Sequence, residues 1–324
     1  MLAALTNTWN KLQALEAARG HPCILYYTVQ GQMMEPDVGD SFDHVLDGIG
    51  HVTDLDFMIE SLGGHTQTPS LIVALLRSYA DRLSGITAGL AHSAATAALL
   101  GTDEIVMTIQ AQLGPLDPTR RHPLLPVAPG SDKPVAVSVQ DLRRSIEFIK
   151  REIGTDASPE VMANLITALF DKVHPMAIGA IEQSYELSRQ VARNNLSTHM
   201  ADADAIDELV NKLIDGYNAH TYPIMRVEAR QLGLAVVDAE PWNSEIRELH
   251  AAARGLLSAE EVVTTPAPSA FGPVTRQRRA LILGKHRAAV RYVDYAMPVG
   301  KPSGAQSDPW SAPPGWLQVQ RSAP

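Results

Sequence analysis

The sequence predicts an α/β fold with a largely parallel sheet. Along the first third of the chain, short apolar runs rich in β-branched residues alternate with segments whose apolar residues recur at helical spacing. Strands that alternate with helices are typical of folds in which helices join parallel strands. The chain has 324 residues, 45% of them apolar, which is enough for a substantial hydrophobic core.

The predicted elements follow one another in a regular order from the N-terminus. Residues 1–20 carry apolar side chains at helical spacing, and His21-Pro22 separates this helix from the first strand. The turn Gly63–Gly64 joins the second strand to the following helix. After residue 22 the predicted elements are strand Cys23–Val29, helix Phe42–Ile49, strand Leu55–Ile59, helix Thr68–Leu83, strand Ile86–Ala91, helix Ser93–Leu100 and strand Asp103–Met107.

The middle of the chain has a different pattern. Residues from about 139 to 197 form an all-helical insertion, with helices over Val139–Ile153, Pro159–Lys172 and Pro175–Asn195. After residue 240 prolines are scattered among Ser, Ala and Gly. We therefore divide the chain into a domain over residues 1–240 and a Pro-rich C-terminal extension over residues 241–324. We expect the extension to be loosely ordered, with one strand at Ala288–Ala296.

Composition excludes several classes of function. The formal net charge is −9, with 27 basic against 36 acidic residues, so we expect no nucleic-acid partner. Cys23 is the only cysteine, which excludes an intramolecular disulfide and a cysteine-built zinc site and favours a cytoplasmic location. No apolar run approaches the length of a membrane span, and no dinucleotide or pyridoxal-phosphate motif is present. We predict no metal and no cofactor.

Ser93 stands directly between a predicted buried strand and a helix. The backbone N–H groups at such a helix start stabilise a developing oxyanion, which suits a nucleophile. Ala94 and Ala95 leave room for a substrate carbonyl to approach the main chain, and Gly63–Gly64 offers a second N–H donor. Gly63, Gly64 and Ala94 are therefore the candidate oxyanion hole. Serine is also a common helix N-cap, so the local pattern alone leaves a purely structural role open.

A longer set of motifs resembles a known family. The segments are Gly63–Gly64, then Ser93-Ala-Ala-Thr96, Asp103-Glu-Ile-Val-Met107 and Leu113-Gly-Pro-Leu-Asp-Pro118. Together with Lys172-Val-His-Pro175 and His220-Thr-Tyr-Pro-Ile224 they resemble the serine dehydrogenase proteinase family and, more distantly, Clp protease subunits and signal peptide peptidase A. The resemblance covers about residues 20–236. It implies a ClpP/crotonase-like fold of repeated β-β-α units and a serine peptidase activity with Ser93 as nucleophile.

The sequence departs from this family in places. Leu62 stands where relatives often carry proline or another small residue, and Ala94–Ala95 stand where they carry glycines. Alanine keeps the backbone donors, so these changes are compatible with activity.

The general base is less clear than the nucleophile. At the place where Clp subunits carry the catalytic histidine, this sequence has Asp117 and Pro118. Lys172 is one candidate, by analogy with Ser-Lys peptidases of the same superfamily. His220 is another, because it lies close to where Clp subunits carry their acidic residue. The sequence leaves both open.

Three functions are compatible with these motifs. The first is a serine hydrolase that cleaves peptides or proteins through Ser93, with Lys172 or His220 as base. The second is a catalytically inactive scaffold or interaction protein that has kept the fold. The third is acyl-CoA chemistry, since crotonases share this fold. Because relatives assemble into rings or stacked discs, we also expect a homo-oligomer.

Overall fold

The computed structural model of the chain describes residues 1–128, 130, 132–153, 158–264, 271–297 and 310–321. Five prolines that mark the C-terminal extension, Pro266, Pro268, Pro298, Pro302 and Pro309, lie outside the described residues. No helix in the described ranges is both long and apolar enough to cross a membrane.

Two kinds of element make up the fold. The helices are α1 (Leu2–Arg19), α2 (Val38–Asp47), α3 (Thr68–Tyr79), α4 (Ala94–Leu99), α5 (Val139–Ile153), α6 (Pro159–Lys172), α7 (Pro175–Leu196), α8 (Ala203–Asp215), α9 (Arg226–Gln231) and α10 (Asn243–Ser258). The strands are β1 (Cys23–Thr28), β2 (Val52–Glu60), β3 (Ala80–Thr87), β4 (Leu90–Ala91), β5 (Glu104–Met107), β6 (Gln112–Leu113), β7 (Thr119–Arg120), β8 (Val137–Ser138), β9 (Ile224–Met225), β10 (Val236–Asp238), β11 (Glu260–Val263), β12 (Val274–Leu283), β13 (Arg287–Ala296), β14 (Trp310–Ser311) and β15 (Gly315–Gln320).

A mixed sheet forms the centre of the molecule, in the order β10-β5-β3-β2-β1-β12-β13-β14. The half from β10 to β1 is parallel, as the alternation of strands and helices predicted. The half that begins at β12 is antiparallel, and β11 and β15 pair with β12 and β13. The sheet therefore joins an α/β half to an antiparallel half contributed by the C-terminal extension.

Helices cover both faces of the central sheet. On one face Ile24 and Tyr26 of β1 pack in a core shared with α2, α3, α4, α7 and α8. On the opposite face Leu25 and Tyr27 pack in a second core with α1 and α10. Both faces of β1 are buried, which explains why this strand reads as an unbroken apolar run in the sequence.

The structure corrects two expectations about the elements. Helix α3 ends at Tyr79, and Leu83, which continues the helical spacing, lies on β3 because residues 80–86 pair with β2. The C-terminal extension is not loosely ordered where it is described. It forms α10 and five strands, and β12 pairs along β1 from Leu25↔Leu283 to Thr28↔Ala280. Strand β12 was not predicted, because its polar residues from Thr275 to Arg279 interrupt the apolar pattern of a strand.

The described residues between 139 and 197 form three helices, α5, α6 and α7, at the places where the sequence predicts them. Helices α5 and α6 have the predicted bounds, and α7 ends one residue later than predicted. Pro175 occupies the first turn of α7, whose N-cap is His174. Helix α7 packs against α3 and α4 of the sheet domain, whereas α6 buries none of its side chains.

Candidate active site

A small three-stranded sheet brings together the segments that carry Ser93, Asp117 and His220. Strand β4 pairs parallel to β6, and β6 pairs antiparallel to β9. Ser93 follows β4, Asp117 follows β6, and His220 precedes β9. Because β9 runs in the opposite direction, the residues before it lie at the same end of the sheet as the residues after β4 and β6. Three segments that are distant in sequence therefore meet at one edge.

Ser93 has a strained backbone. Its φ is 53° and its ψ is −117°, and it has the only positive φ among the described residues other than glycine. An N-cap serine normally has extended dihedral angles and accepts a hydrogen bond from the first helical turn. Ser93 has neither feature, since its side chain makes no capping hydrogen bond to α4. A serine on a sharp, strained strand-to-helix turn with an uncommitted hydroxyl is typical of a nucleophile.

The Gly63–Gly64 turn lies directly against Ser93. Gly63 has φ 103°, and a Cβ built on it would lie 2.9 Å from Ser93 Cβ and 3.1 Å from Ala94 N. A Cβ on Gly64 would lie 2.2 Å from Met34 N. Both positions therefore require glycine, the first for its dihedral angle and for space, the second for space. The predicted contact between this turn and Ser93 is present.

Two backbone N–H groups beside Ser93 are left without an acceptor. The N–H of Gly64 and that of Ala94 donate to no group in the described part of the chain. Their neighbours are committed: Gly63 N donates to Ser61 Oγ at 3.1 Å, and Ala95 N donates to His92 O at 3.0 Å. Of the three residues predicted for the oxyanion hole, Gly64 and Ala94 thus keep available donors, and Gly63 supplies the turn geometry.

Ser61 holds the glycine turn to the serine strand. Its side chain accepts hydrogen bonds from Thr28 Oγ1 at 2.8 Å and from Gly63 N. Its backbone forms a parallel bridge to Ala91, in which Ser61 N donates to Leu90 O at 2.9 Å and His92 N donates to Ser61 O at 3.0 Å. The relative position of Gly64 and Ser93 is therefore set by main-chain bonds and one buried hydroxyl.

His220 and Asp117 form a hydrogen-bonded pair. His220 Nδ1 donates to Asp117 Oδ1 at 2.8 Å, and the Asp117 side chain is 11% exposed. The hydrogen bond to Asp117 is the main cause that raises the pKa of His220, and burial opposes it. With Nδ1 bonded to the carboxylate, Nε2 is the ring nitrogen left to accept a proton.

Ser93 and His220 line the same cavity, whose volume is about 300 Å³. Gly63 and Gly64 lie in its wall, which places the free N–H groups next to the serine. The rest of the wall is mainly apolar and small. Its apolar members are Met33, Leu62, Ala94, Ala97, Leu116, Pro118 and Val191.

The other candidate bases are elsewhere. Lys172 is exposed in the last turn of α6 and is not among the residues that line the cavity. His174 caps α7 through a hydrogen bond from Met176 N to its Nδ1 at 3.2 Å. His92 is half-buried and packs against Gly114, and burial lowers its pKa. Of the two bases proposed from sequence, His220 lies in the wall of the same cavity as Ser93, and Lys172 lies at the surface.

The sequence analysis did not place Asp117 at the candidate site. By the resemblance to Clp subunits, Asp117 stands where they carry histidine, and His220 stands near the place of their acidic residue. The structure puts these two side chains in contact, so the histidine and the carboxylate exchange places along the chain. An aspartate that stands at an expected histidine position, with a histidine at the expected aspartate position, was the available signal.

The chain was compared with known proteins. No protein-family model matches it, and no curated protein does. Many solved structures are similar to parts of it, and three of them are named here. They are a ClpP1 variant from Listeria monocytogenes (TM-score 0.35, 11% identity, 70% of this chain and 95% of that one), a variant of the 1510-N membrane-bound stomatin-specific protease (0.34, 15%, 67% and 79%) and the ClpP protease catalytic domain from Plasmodium falciparum (0.35, 13%, 70% and 89%). A likeness of this size carries no inference about activity, so the site itself has to support a function.

Proposed function

We propose that this protein is a serine hydrolase that cleaves peptide bonds, with Ser93 as nucleophile, His220 as general base and Asp117 as the residue that orients the base. One observation carries the proposal: a strained serine with an uncommitted side chain shares a cavity with a hydrogen-bonded histidine–aspartate pair. Nucleophile, base and orienting acid are the three parts that acyl transfer by serine requires.

The arrangement supports the two halves of the reaction. Ser93 Oγ attacks the peptide carbonyl carbon while His220 Nε2 takes the hydroxyl proton, and the carbonyl oxygen becomes an oxyanion. The N–H groups of Gly64 and Ala94 stabilise that charge. The imidazolium then gives its proton to the leaving amine, and an acyl-serine remains. Water attacks the acyl carbon in the same way, which releases the acid and restores Ser93.

Asp117 supports the charged form of the base during this cycle. The imidazolium that forms in each half-reaction lies beside a carboxylate that is almost fully buried. The same hydrogen bond fixes the tautomer with Nε2 unprotonated in the resting enzyme. We therefore assign Asp117 to the site and give Lys172 no part in catalysis.

On the motifs that surround these residues we further propose a place in the ClpP superfamily, near the serine dehydrogenase proteinases. Residues 1–240 hold all the catalytic groups in this proposal. The scaffold alternative was motivated by the missing Clp-type histidine, and the pair His220–Asp117 supplies that function from other positions. Crotonase-type acyl-CoA chemistry does not need an uncommitted serine beside a histidine.

We also propose a homo-oligomer. Helix α6 buries no side chain, and its exposed apolar residues include Val161, Ile166 and Phe170. Met176 at the start of α7 is 69% exposed. A face of this kind is typical of a surface that is covered in an assembly. Light scattering at working concentration tests this, and a monomer would contradict it.

Labelling with a fluorophosphonate probe tests the catalytic proposal. The probe forms a bond with an activated serine oxygen, so we expect the parent protein to be labelled at Ser93 and Ser93→Ala to be unlabelled. Ser188→Ala is the matched control, because Ser188 lines the same cavity as Ser93 but its hydroxyl donates to Leu116 O at 2.7 Å. We expect that variant to be labelled still, at Ser93.

Hydrolysis of a broad peptide library is the second readout. Ser93→Ala and His220→Ala should lose turnover, and Lys172→Ala should keep it. If the parent is not labelled and cleaves no peptide, or if Ser93→Ala matches the parent in both assays, the hydrolase proposal is wrong.

A further inference from the structure

The cavity at Ser93 continues into a wider depression that the proposed chemistry does not use. This depression has a volume of about 1270 Å³. It shares Met33, Gly64, Thr66 and Thr119 with the wall of the cavity, so the two form one continuous cleft. We call the depression the arginine groove, because four arginines line it: Arg120, Arg121, Arg189 and Arg193.

Two of these arginines are neutralised by acidic residues of the protein. Arg189 Nη2 lies 2.9 Å from Asp215 Oδ2. Arg193 Nε lies 2.5 Å from Asp207 Oδ1. Their charges are therefore largely accounted for within the fold.

The other two arginines bond only to neutral oxygen atoms. Arg120 Nη1 donates to Ser184 Oγ at 2.8 Å and to Ala180 O at 3.4 Å, and its Nε and Nη2 donate to no described residue. Arg121 Nη1 donates to Pro134 O at 2.5 Å. Across the described ranges, neither guanidinium has a carboxylate within ion-pair distance. Glu186 also lines the groove, but it is exposed and pairs with neither.

Arg120 is well positioned for a ligand. It is half-buried on β7, where it pairs with Val137 of β8, and its bonds to α7 fix the guanidinium. Thr119, its neighbour, lies in the wall that the groove shares with the Ser93 cavity. A guanidinium that is fixed by hydrogen bonds and keeps free N–H donors in a partly buried groove can bind a carboxylate through two hydrogen bonds, in a bidentate manner. Arg120 and Arg121 thus place positive charge without a carboxylate partner in a groove that joins the Ser93 cavity, which suits an anionic ligand.

We infer that the arginine groove selects peptides that carry an aspartate or glutamate side chain near the scissile bond, and that Arg120 binds this carboxylate with Arg121 beside it. The inference rests on the proposed peptidase function. Asparagine and glutamine match these side chains in shape but lack the charge, so the difference between acid and amide measures the contribution of the arginines.

Matched pairs of peptides test this substrate class. Cleavage sites in a mixed peptide library, mapped by mass spectrometry, should be enriched in Asp or Glu at one position near the cut. For peptides that differ only by Asp against Asn there, kcat/KM should favour the acid by about tenfold, as a charge-assisted hydrogen bond predicts. Arg120→Gln should bring the ratio close to one, and Arg120→Lys should keep part of it.

Two controls make the assignment specific. Arg193→Gln changes a groove arginine that Asp207 already neutralises, so the ratio should change by less than about twofold. Raising the NaCl concentration should reduce the ratio for the parent protein, which tests the electrostatic origin even if Arg120→Gln is unstable. A ratio near one in the parent, or an equal effect of Arg193→Gln and Arg120→Gln, overturns the inference.

Binding to the Ser93→Ala protein separates this inference from the proposed function. Calorimetry with the same Asp and Asn peptides measures the preference without turnover. If both peptides are cleaved and bind equally well, the acidic preference is wrong and the hydrolase stands. If the acidic peptide binds more tightly by about tenfold but the parent cleaves neither, the hydrolase is wrong and the groove is a binding site for acidic peptides.

Discussion

Among the histidine–carboxylate pairs near the loop that follows β2, His220–Asp117 and His250–Glu60 invite comparison, because only the first shares a cavity with a serine whose side chain is uncommitted. His220 Nδ1 lies 2.8 Å from Asp117, and His250 Nδ1 lies 2.8 Å from Glu60. A serine is near each pair: Ser93 shares a cavity with His220, and Ser61 follows Glu60. By residue type alone the two sets are equivalent.

The difference lies in what else each group touches. Glu60 is also bonded to Arg254 at 3.0 Å, and His250 Nδ1 also lies 3.0 Å from the Tyr27 hydroxyl. Ser61 has ordinary backbone angles, and its side-chain oxygen is occupied by Thr28 and Gly63. Glu60, His250 and Ser61 thus each have further hydrogen-bond or ion-pair partners. Ser93, in contrast, has strained backbone angles and makes no capping hydrogen bond. Under the proposed function, the difference between the two sets therefore lies in the uncommitted groups and not in the residue types.

Exchanging each histidine for alanine gives the largest expected contrast. His220→Ala removes the proposed base, and kcat/KM for a peptide substrate should fall by about 10⁵-fold, as in serine hydrolases that lose one member of the triad. His250→Ala removes a group that interacts with Tyr27 and Glu60 and does not line the Ser93 cavity, so we expect kcat/KM to stay within about tenfold of the parent. Comparable losses in the two variants would contradict the distinction between the pairs.

The two carboxylates should differ in the same direction by a smaller factor. Asp117→Asn keeps the shape but lets the wrong tautomer of His220 form, so kcat should fall by about 10³- to 10⁴-fold. Glu60→Gln breaks the bond to Arg254 and should act on stability more than on kcat. Thermal unfolding and steady-state kinetics of both variants measure these effects. A kcat loss for Glu60→Gln as large as that for Asp117→Asn would show that Glu60 also serves the reaction.

The pH dependence gives the smallest but most direct test of the His220–Asp117 bond. Its hydrogen bond to Asp117 raises the pKa of His220, and the base must be neutral to act, so kcat/KM should fall as pH drops below that raised pKa. In Asp117→Asn the midpoint should move to lower pH. If the midpoint is the same in both proteins, the pH dependence of kcat/KM does not report the hydrogen bond between His220 and Asp117.

The same hydrogen bond should also affect the free energy of unfolding, but with the opposite pH dependence: activity falls as pH drops, whereas the stabilisation is lost as pH rises. The folded-state pKa of His220 lies above its unfolded value of about 6.5. The stabilisation is therefore fully present below that unfolded value and is lost as pH rises through the folded pKa. Urea unfolding of the parent and of Asp117→Asn across this range measures the contribution.

Much of the fold and part of the site could be predicted from the sequence. The parallel half of the sheet has buried strands and glycine turns, which are local signals, and the contact of Ser93 with Gly63 followed from motif order. The pairing of Asp117 with His220 could not be predicted in this way. It depends on β6 and β9 lying side by side, and each of those strands is only two residues long. Asp and Pro are common in turns, so an Asp-Pro pair after so short a strand does not distinguish a site residue from an ordinary turn.

In the antiparallel half of the sheet the predicted strand Ala288–Ala296 is present as β13, but β12 was missed for a different reason. Strand β12 contains Arg276, Arg278 and Arg279, which reduce its apolar pattern, but Arg278 is buried and donates to Leu256 O and Ala259 O. Arg276 is paired with Asp294 on β13 at 2.7 Å. Charges that are satisfied by tertiary partners do not appear as strand signals in a single sequence.

The pairing of β1 with β12 also has a consequence for the order of events during synthesis. Strand β1 leaves the ribosome well before β12, yet the two strands are neighbours at the centre of the sheet. Until the C-terminal strands are made, one edge of β1 stays without its partner, although Ser93, Asp117 and His220 have all been translated. Contacts of such long sequence separation form slowly and leave strand edges exposed to other chains in the meantime. The residues of the proposed active site are thus synthesised before the strand that completes the sheet beside β1.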